Sequence, residues 1–335
     1  MKEMSFPLVN YIEIFASWRE DMRASFFWIL LVCLQLIFGC TAQRVEKLTP
    51  KNDLSSSLPQ PESKIQVKTW DGSPDLEPGL NGNDILLYED FEEDNYQNQW
   101  PVFWGEPIGA GTVSRPSQYV FAGKRSAYLE VPKGSHGSWG YGEYVPRIPI
   151  DDVAYVRMYL RLEDDFSMGT ANQLKLLSIK GGAKTEDAYS GAGNKPNGRD
   201  KFSVTLCLDT WMKLHFYLYH PDQWGGYGDW VYCKPSFFRK AGLSRGKWYC
   251  IEVMLKNNTP GKKDGQIKAW LDGAQIGKIE KLRFRDASVV KIRRFTVENY
   301  FGGDNVSDTS PKDQRIYIDN YVVSHKPIGC LGASH

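Results

Sequence analysis

Short apolar or alternating segments, separated by clusters of Gly, Asp, Asn and Pro, restrict the fold of this chain more than any other feature. Alternation with a period of two is typical of strands that bury one face and expose the other. No segment is a convincing helix, so the pattern predicts an all-β domain. Ten segments are candidate strands: Ile85 to Phe91, Ser126 to Val131, Tyr155 to Leu162, Leu174 to Ile179, Phe202 to Leu208, Lys213 to Tyr219, Trp248 to Lys256, Gln266 to Leu271, Lys291 to Val297 and Arg315 to Val323.

The number and the length of these strands favour one domain over residues 83–330. Many short strands in a single unit of this size fit a two-sheet β-sandwich of the jelly-roll type, like that of concanavalin A-like lectins and glucanases. The sequence Trp270-Leu271-Asp272-Gly273 ends a strand with the Asp-Gly turn of a hairpin. No internal repeat and no phosphate-binding glycine motif interrupts this pattern.

The charge of the chain is balanced, with 41 Lys+Arg, 40 Asp+Glu and a net charge of +1. This balance argues against nucleic acid as a partner, and any affinity for acidic ligands must be local. The chain is rich in aromatic residues, with 11 Trp, 18 Tyr and 16 Phe, and it contains 31 Gly. This composition favours strands, turns and a surface on which sugar rings stack. We expect the protein to be a monomer.

The N-terminus resembles an export signal. Phe26 to Phe38 is an apolar run of signal-peptide length, too short for a span of about 20 residues. It is followed by Gly39-Cys40, which resembles the lipobox of bacterial lipoproteins and predicts lipidation of Cys40. Met22-Arg23 is a better start than the acidic segment before it, so the true start is expected at Met22. An uncleaved signal anchor is the alternative. These features predict a leader at 1–40 and an exported protein, lipid-anchored in the cell envelope or secreted.

Two further features fit export. Residues 41–82 contain five Pro and the run Ser55-Ser56-Ser57 and lack apolar periodicity, which predicts a flexible linker. Four cysteines lie in the predicted domain and could form two disulfides in an oxidising compartment, with three connectivities left open. They are Cys207, Cys233, Cys250 and Cys330.

An ordered series of motifs resembles a known family. From residue 246 onward the chain reads Gly246-Lys247-Trp248-Tyr249, Ile251-Glu252, Asn258-Thr259-Pro260-Gly261, Asp264-Gly265, Trp270-Leu271-Asp272-Gly273, Arg283-Phe284-Arg285, Phe301-Gly302-Gly303 and Tyr317-Ile318-Asp319-Asn320. The series resembles polysaccharide lyases of family fourteen and the related jelly rolls of glucuronan lyases, over roughly Leu86 to Gly329. The resemblance implies cleavage of a uronate-containing polysaccharide, such as alginate or glucuronan, by β-elimination.

The same resemblance implies catalytic residues in the middle of the chain. The family has a Lys in one strand, a Ser-x-Arg pair in the next long strand and a Tyr-x-Tyr pair in the third. Lys175, Ser203, Tyr217 and Tyr219 match these positions, whereas Thr205 replaces the Arg. The group that neutralises the substrate carboxylate is therefore missing from its usual place.

The alternation of side chains along a β-strand is consistent with these candidate catalytic residues. Tyr217 and Tyr219 share one face of their strand, and so do Ser203 and Thr205. A lyase needs a base for the proton α to the uronate carboxylate, a group that stabilises the enolate-like intermediate and an acid for the departing oxygen. Lys and Tyr can supply base and acid if their pKa values shift towards neutrality. His215, on the Tyr217 face, is the alternative base.

Other side chains are candidates for substrate binding. Arg157, Arg161 and Lys180 are possible replacements for the missing Arg, although a solvated basic edge explains them equally well. The loop after the Tyr pair combines Gly with aromatic and polar side chains and suits stacking on sugars. Its candidate residues are His220, Gln223, Trp224 and Tyr227.

The sequence leaves one alternative for the cofactor and one for the function. No cofactor is required by this chemistry, but Glu92 and Asp319 resemble positions that hold a structural calcium in some lectin-like jelly rolls. A non-catalytic protein that binds carbohydrate at the cell surface is the alternative function, favoured by Thr205. Glycoside hydrolysis would need two opposed carboxylates, which no strand supplies.

Overall fold

The structure is a computed structural model. It describes residues 77, 80–93, 110–114, 117–137, 142–188, 193–232, 242–302 and 306–331. The predicted leader with Phe26 to Phe38 and Cys40, most of the predicted linker, and Cys233 lie outside these residues. Within this part of the chain no helix is long and apolar enough to cross a membrane.

The described residues form fourteen strands and one short 3-10 turn, Val306–Asp308. The strands are β1 Ile85–Glu89, β2 Ala110–Ser114, β3 Arg125–Val131, β4 Gly142–Tyr144, β5 Val153–Leu162, β6 Gln173–Gly182, β7 Lys201–Asp209, β8 Leu214–Tyr219, β9 Asp229–Tyr232, β10 Trp248–Lys256, β11 Gly265–Leu271, β12 Ala274–Leu282, β13 Lys291–Gly302 and β14 Gln314–Ser324. All ten predicted strands are present. β4 and β9 were missed because they are too short for a periodic pattern, and β2 because its sequence AGTVS has no apolar alternation. β12 was missed because Ile276, Ile279 and Leu282 recur every third residue instead of every second.

Two antiparallel sheets form the sandwich. One has eight strands in the order β12-β11-β10-β5-β14-β3-β2, with β1 also paired to β14, and the other has six in the order β4-β13-β6-β7-β8-β9. Their inner faces meet in a single core, where Met158 and Leu160 of β5 and Leu206 and Phe216 of β7 and β8 are buried. Alternating apolar side chains from both sheets fill such a core. The predicted all-β, two-sheet jelly roll is confirmed.

A β-bulge in β6 changes the alternation of that strand. Lys175 is opposite Cys207 on β7, but Leu177 is opposite Leu206, so β6 has one extra residue between them. Leu176 and Leu177 both belong to the core. A bulge shifts the phase of alternation by one residue, and for this reason Lys175 and Lys180, five positions apart, both point to the outer face.

One disulfide joins Cys250 on β10 to Cys330. Of the pairings that the sequence left open, the structure contains Cys250–Cys330, and Cys207 is a buried free thiol. The carboxylate of Glu252 accepts the N–H groups of Ile328 and Gly329 beside the disulfide. The bond closes a loop of 80 residues, and closure of a loop this long stabilises a fold by about 4 kcal/mol.

The folded part begins before the predicted boundary at residue 83. Glu77, which lies in the predicted linker, is buried, and its carboxylate lies 2.5 Å from the Arg157 guanidinium. Its other oxygen accepts a hydrogen bond of 2.7 Å from the Asn320 amide. The linker prediction is therefore wrong at this end, because composition does not reveal a single buried ion pair.

Candidate functional site

The outer face of the six-stranded sheet carries polar residues in aligned rows. In the middle row Ser178, Thr205 and Tyr217 are opposite one another on β6, β7 and β8. One flanking row contains Lys180, Ser203 and Tyr219, and the other contains Tyr300, Lys175, Cys207 and His215. The sequence-predicted Lys, Ser and Tyr residues are thus brought together on one face. They come from three consecutive strands whose opposite faces are apolar.

Lys175 lies at the centre of an aromatic environment. Its ammonium nitrogen is 4.9 Å from the centroid of the Tyr300 ring and 5.8 Å from that of Tyr217. Burial lowers the pKa of Lys175, and the Glu298 carboxylate opposes this shift. Desolvation disfavours the charged form of an amine, so the site favours a neutral amine more than water does.

The two tyrosines form a hydrogen-bonded pair. Their hydroxyl oxygens are 3.3 Å apart, and the backbone N–H of Gly228 donates to the Tyr217 hydroxyl at 3.2 Å. Burial raises the pKa of Tyr217, and its contact with Tyr219 adds to the shift. Because Tyr217 accepts the Gly228 N–H, its own proton can point to Tyr219, which leaves the Tyr219 proton for another acceptor.

A buried polar network occupies the place of the missing arginine. The Ser178 hydroxyl is 2.8 Å from the Thr205 hydroxyl and donates to Glu298 at 2.6 Å. The Lys180 ammonium nitrogen is 2.9 Å from the same Glu298 oxygen. Lys180 is therefore connected to Thr205 through Glu298 and Ser178, and the Glu298 carboxylate partly offsets its positive charge.

Ser203 and His215 are less accessible than their predicted roles require. Both are fully buried, and the Ser203 hydroxyl has no hydrogen-bond partner within the described part of the chain. The His215 ring is covered by Trp230, with ring centroids 4.2 Å apart, and its Nε2 is 3.3 Å from the Gln173 amide oxygen. Burial lowers the pKa of His215 to about 4. This placement contradicts His215 as the base, because the indole separates it from any substrate.

The loop after β8 divides into a buried and an exposed part. Gln223 is buried: it accepts the N–H of His220 and donates to the Gly225 and Tyr227 carbonyls. Its prediction as a substrate ligand is wrong, because these backbone groups use its carboxamide. His220 Nε2 is 3.0 Å from Asp229, and burial lowers the His220 pKa against the effect of this carboxylate. Trp224 and Tyr227 are 93% and 64% exposed and remain available for sugar contact.

Arg157 and Arg161 do not belong to this site. Both lie on β5, in the other sheet, with side chains on its outer face. Arg157 is fully buried against Glu77, and Arg161 binds Asp164 at 2.6 Å and the Gly246 carbonyl. Their prediction as carboxylate ligands is wrong, since period two places them on one face of a strand without indicating which sheet contains it. Of the three cations, only Lys180 lies on the outer face of the six-stranded sheet.

The predicted calcium ligands hold a loop of the backbone. Asp319 accepts hydrogen bonds from the Phe121 and Ala122 N–H groups and from the Ser126 hydroxyl. Glu92 accepts the N–H groups of Lys124 and Arg125. Burial raises the Asp319 pKa to about 8. Among the described residues, no cluster of three acidic, His or Cys side chains could hold a metal. The carboxylates of Asp319 and Glu92 are thus surrounded by N–H and O–H donors, and a cation does not fit such a site.

Sequence reasoning missed part of the site on β13. Glu298 and Tyr300 follow Arg294 and Thr296 on the outer face of this strand, two residues apart, and Phe295 and Val297 are in the core. This alternation is visible in the sequence, but the predicted strand ended at Val297. Ser178 was missed because strict alternation from Lys175 places it on the inner face, and only the bulge turns it outward.

Comparison with known proteins identifies the family. The family model described as Polysaccharide lyase 14 matches residues 153–321, half of the chain. The chain belongs to this family. The segment matched by the family 14 model runs from β5 to β14 and includes every candidate residue on the outer face of the six-stranded sheet. Comparison with curated protein sequences gives no match.

Solved structures share the lyase fold at low sequence identity. The crystal structure of the marine PL-14 alginate lyase from Aplysia kurodai has a TM-score of 0.58 and 21% identity, over 71% of this chain and 98% of that one. An alginate lyase from Chlorella virus has a TM-score of 0.52 and 18% identity, over 72% and 99% of the two chains. These likenesses concern the fold, whereas the activity of this polysaccharide lyase depends on its own residues.

Proposed function

We propose that this protein cleaves a uronate-containing polysaccharide of the alginate or glucuronan type by β-elimination. One observation carries the proposal: Lys175 and the hydrogen-bonded pair Tyr217 and Tyr219 share the outer face of one sheet. Burial lowers the pKa of the Lys175 amine and raises the pKa of the neighbouring Tyr217 phenol. One can accept a proton and the other can donate one.

Each group then has a defined role. The neutral Lys175 amine removes the proton α to the uronate carboxylate, and the electron pair of that C–H bond forms the enolate-like intermediate. Collapse of this intermediate forms a double bond to the β carbon and breaks its bond to the glycosidic oxygen. The hydroxyl of Tyr219 donates its proton to the departing oxygen, and Tyr217 then replaces that proton across their 3.3 Å contact.

Lys180 is the proposed partner of the substrate carboxylate. Negative charge that develops during proton removal must be stabilised by a fixed donor or cation. Lys180 is opposite Ser203, which is in turn opposite Tyr219, so its ammonium belongs to the row of the proposed acid. Glu298 holds this ammonium at 2.9 Å and orients it.

The proposal is tested by incubating the purified protein with alginate, polyglucuronate and a neutral glucan while ultraviolet absorbance is recorded. We expect absorbance from the new unsaturated sugar end with one or both uronate polymers and none with the glucan. Binding of a uronate polymer without new absorbance would reject the lyase and support the alternative, a carbohydrate-binding protein. That alternative is favoured by Thr205 in place of a cation.

The pH profile tests the assignment of Lys175 as the base. Only the neutral amine accepts a proton, so kcat/KM should rise with pH through a pKa that burial lowers below the usual value of about 10.4. In Glu298→Gln the rising limb should move to lower pH, because the carboxylate that favours the ammonium is lost. A rising limb that does not move in this variant would contradict the assignment.

We also propose that the protein is exported and lipid-anchored at Cys40. The disulfide Cys250–Cys330 supports export, because such bonds persist in oxidising compartments. Mass spectrometry of the mature protein should find an N-terminal, lipid-modified Cys40. A mature chain that retains Phe26 to Phe38 would contradict this proposal.

A further inference from the structure

The edge strand β9 extends the catalytic face with exposed aromatic rings. Val231 packs against the core, whereas Trp230 and Tyr232 point to the opposite, outer side. These two side chains are 40% and 39% exposed, although Tyr217 and Lys175 in the same two rows are below 10%. Large apolar rings that remain open at the border of a buried polar site suggest a binding surface.

The aromatic rings are continuous with the rows of the site. Trp230 is directly opposite Tyr217, and Tyr232 is directly opposite His215. Neighbouring strands lie about 4.8 Å apart, which is close to the length of one pyranose unit in a polymer. A chain that crosses the strands over Tyr217 therefore reaches Trp230 with its next sugar.

His215 supports the Trp230 ring from below. The two rings are stacked, 4.2 Å apart with an interplanar angle of 18°. The imidazole is in turn 3.3 Å from the Gln173 amide oxygen on β6. Its low pKa keeps it uncharged at neutral pH, so the stack does not bury a charge. A buried support of this kind fixes the plane of an otherwise exposed indole.

We propose that Trp230 and Tyr232 form a stacking platform for the sugar residue next to the one at Tyr217, and that His215 is its positioning residue. The occupant is the same uronate polymer, so the inference rests on the substrate class of the proposed function. The C–H face of a pyranose is apolar and packs on an aromatic ring, while the carboxylate and hydroxyls remain at its edge. Such a platform adds affinity without taking part in proton transfer.

Affinity measurements on a variant that does not turn over test the platform. In the background Lys175→Met, dissociation constants for alginate and polyglucuronate are compared with and without Trp230→Ala. We expect Kd to increase by about tenfold or more for the polymer that binds, as loss of one stacked ring predicts. Trp230→Phe should retain most of the affinity. Trp270→Ala, a half-buried Trp on the other sheet, is the matched control and should change Kd by less than about twofold.

The positioning role of His215 is tested by measuring KM and kcat separately for two variants. His215→Phe keeps a flat ring under Trp230 and should retain KM and kcat, whereas His215→Leu should raise KM and leave kcat nearly unchanged. If His215→Phe abolishes turnover at unchanged KM, His215 is a base and the positioning role is wrong.

Equal Kd values for Trp230→Ala and Trp270→Ala, or no binding of either polymer, would overturn the platform. Tight binding without cleavage, weakened by Trp230→Ala, would support the platform while rejecting the lyase.

Discussion

Lys175→Met and Tyr219→Phe should each lower turnover of the uronate polymer by about 10²- to 10⁴-fold, the usual contribution of a general base or acid. Each change removes one proton-transfer group and keeps the size of the side chain. Lys175 is buried and its pKa is lowered, so its replacement by an apolar side chain should not destabilise the fold. Initial rates under saturating polymer measure the effect.

Two controls separate catalysis from folding. Tyr128→Phe removes a hydroxyl from the outer face of the other sheet and should leave turnover within about twofold of wild type. Thr205→Ala removes a hydrogen bond to Ser178 but no proton-transfer group, so it should matter far less than Tyr219→Phe. Circular dichroism and urea midpoints must match those of the wild type. A well-folded Lys175→Met protein with full turnover would reject Lys175 as the base.

Glu77→Gln should destabilise the domain by about 3 to 5 kcal/mol, because it leaves the fully buried Arg157 guanidinium without its counter-charge. Glu77 lies outside every predicted strand, so an effect of this size would identify it as part of the domain. The urea midpoint, with its slope, gives the free energy of unfolding.

An exposed ion pair provides the comparison. Arg315 and Glu130 pair on the surface with side chains 43% and 33% exposed, and Glu130→Gln should cost no more than about 1 kcal/mol. Combining Glu77→Gln with Arg157→Met should recover much of the stability, since both charges are then absent. Equal costs for Glu77→Gln and Glu130→Gln would contradict the role assigned to the buried pair.

The fold could be predicted from the sequence where apolar core residues occupy every second position of a strand. β10 was predicted with its observed bounds, Trp248–Lys256, because Tyr249, Ile251, Val253 and Leu255 place an apolar core residue at every second position. β9 was not predicted, although it carries Trp230, because four residues between a Gly-rich loop and a Cys carry no periodic signal. Pairing between distant strands, which brings β13 next to β6, depends on the whole core and cannot be derived from local periodicity.

The site was predicted in part for the same reason. Tyr217 and Tyr219 share a face because they lie two residues apart in a regular strand, and this required only local geometry. The sheet to which Arg157 belongs is a long-range property, and the sequence gives no direct signal of it. Resemblance supplied Lys175, whereas its neighbours Glu298 and Tyr300 required the register between β6 and β13.

The extra residue in β6 makes the length of this strand as important to the site as its composition. Leu176 could be exchanged for another apolar residue of similar volume at modest cost, because it only fills the core. Its deletion would remove the bulge and leave Lys175 and Lys180 four positions apart in a regular strand, so both side chains would still point to the outer face. A single-residue insertion or deletion between Leu177 and Lys180 would instead turn Lys175 and Lys180 to opposite faces, so it should be far less tolerated than a substitution there, and the spacing of these two lysines is itself heritable.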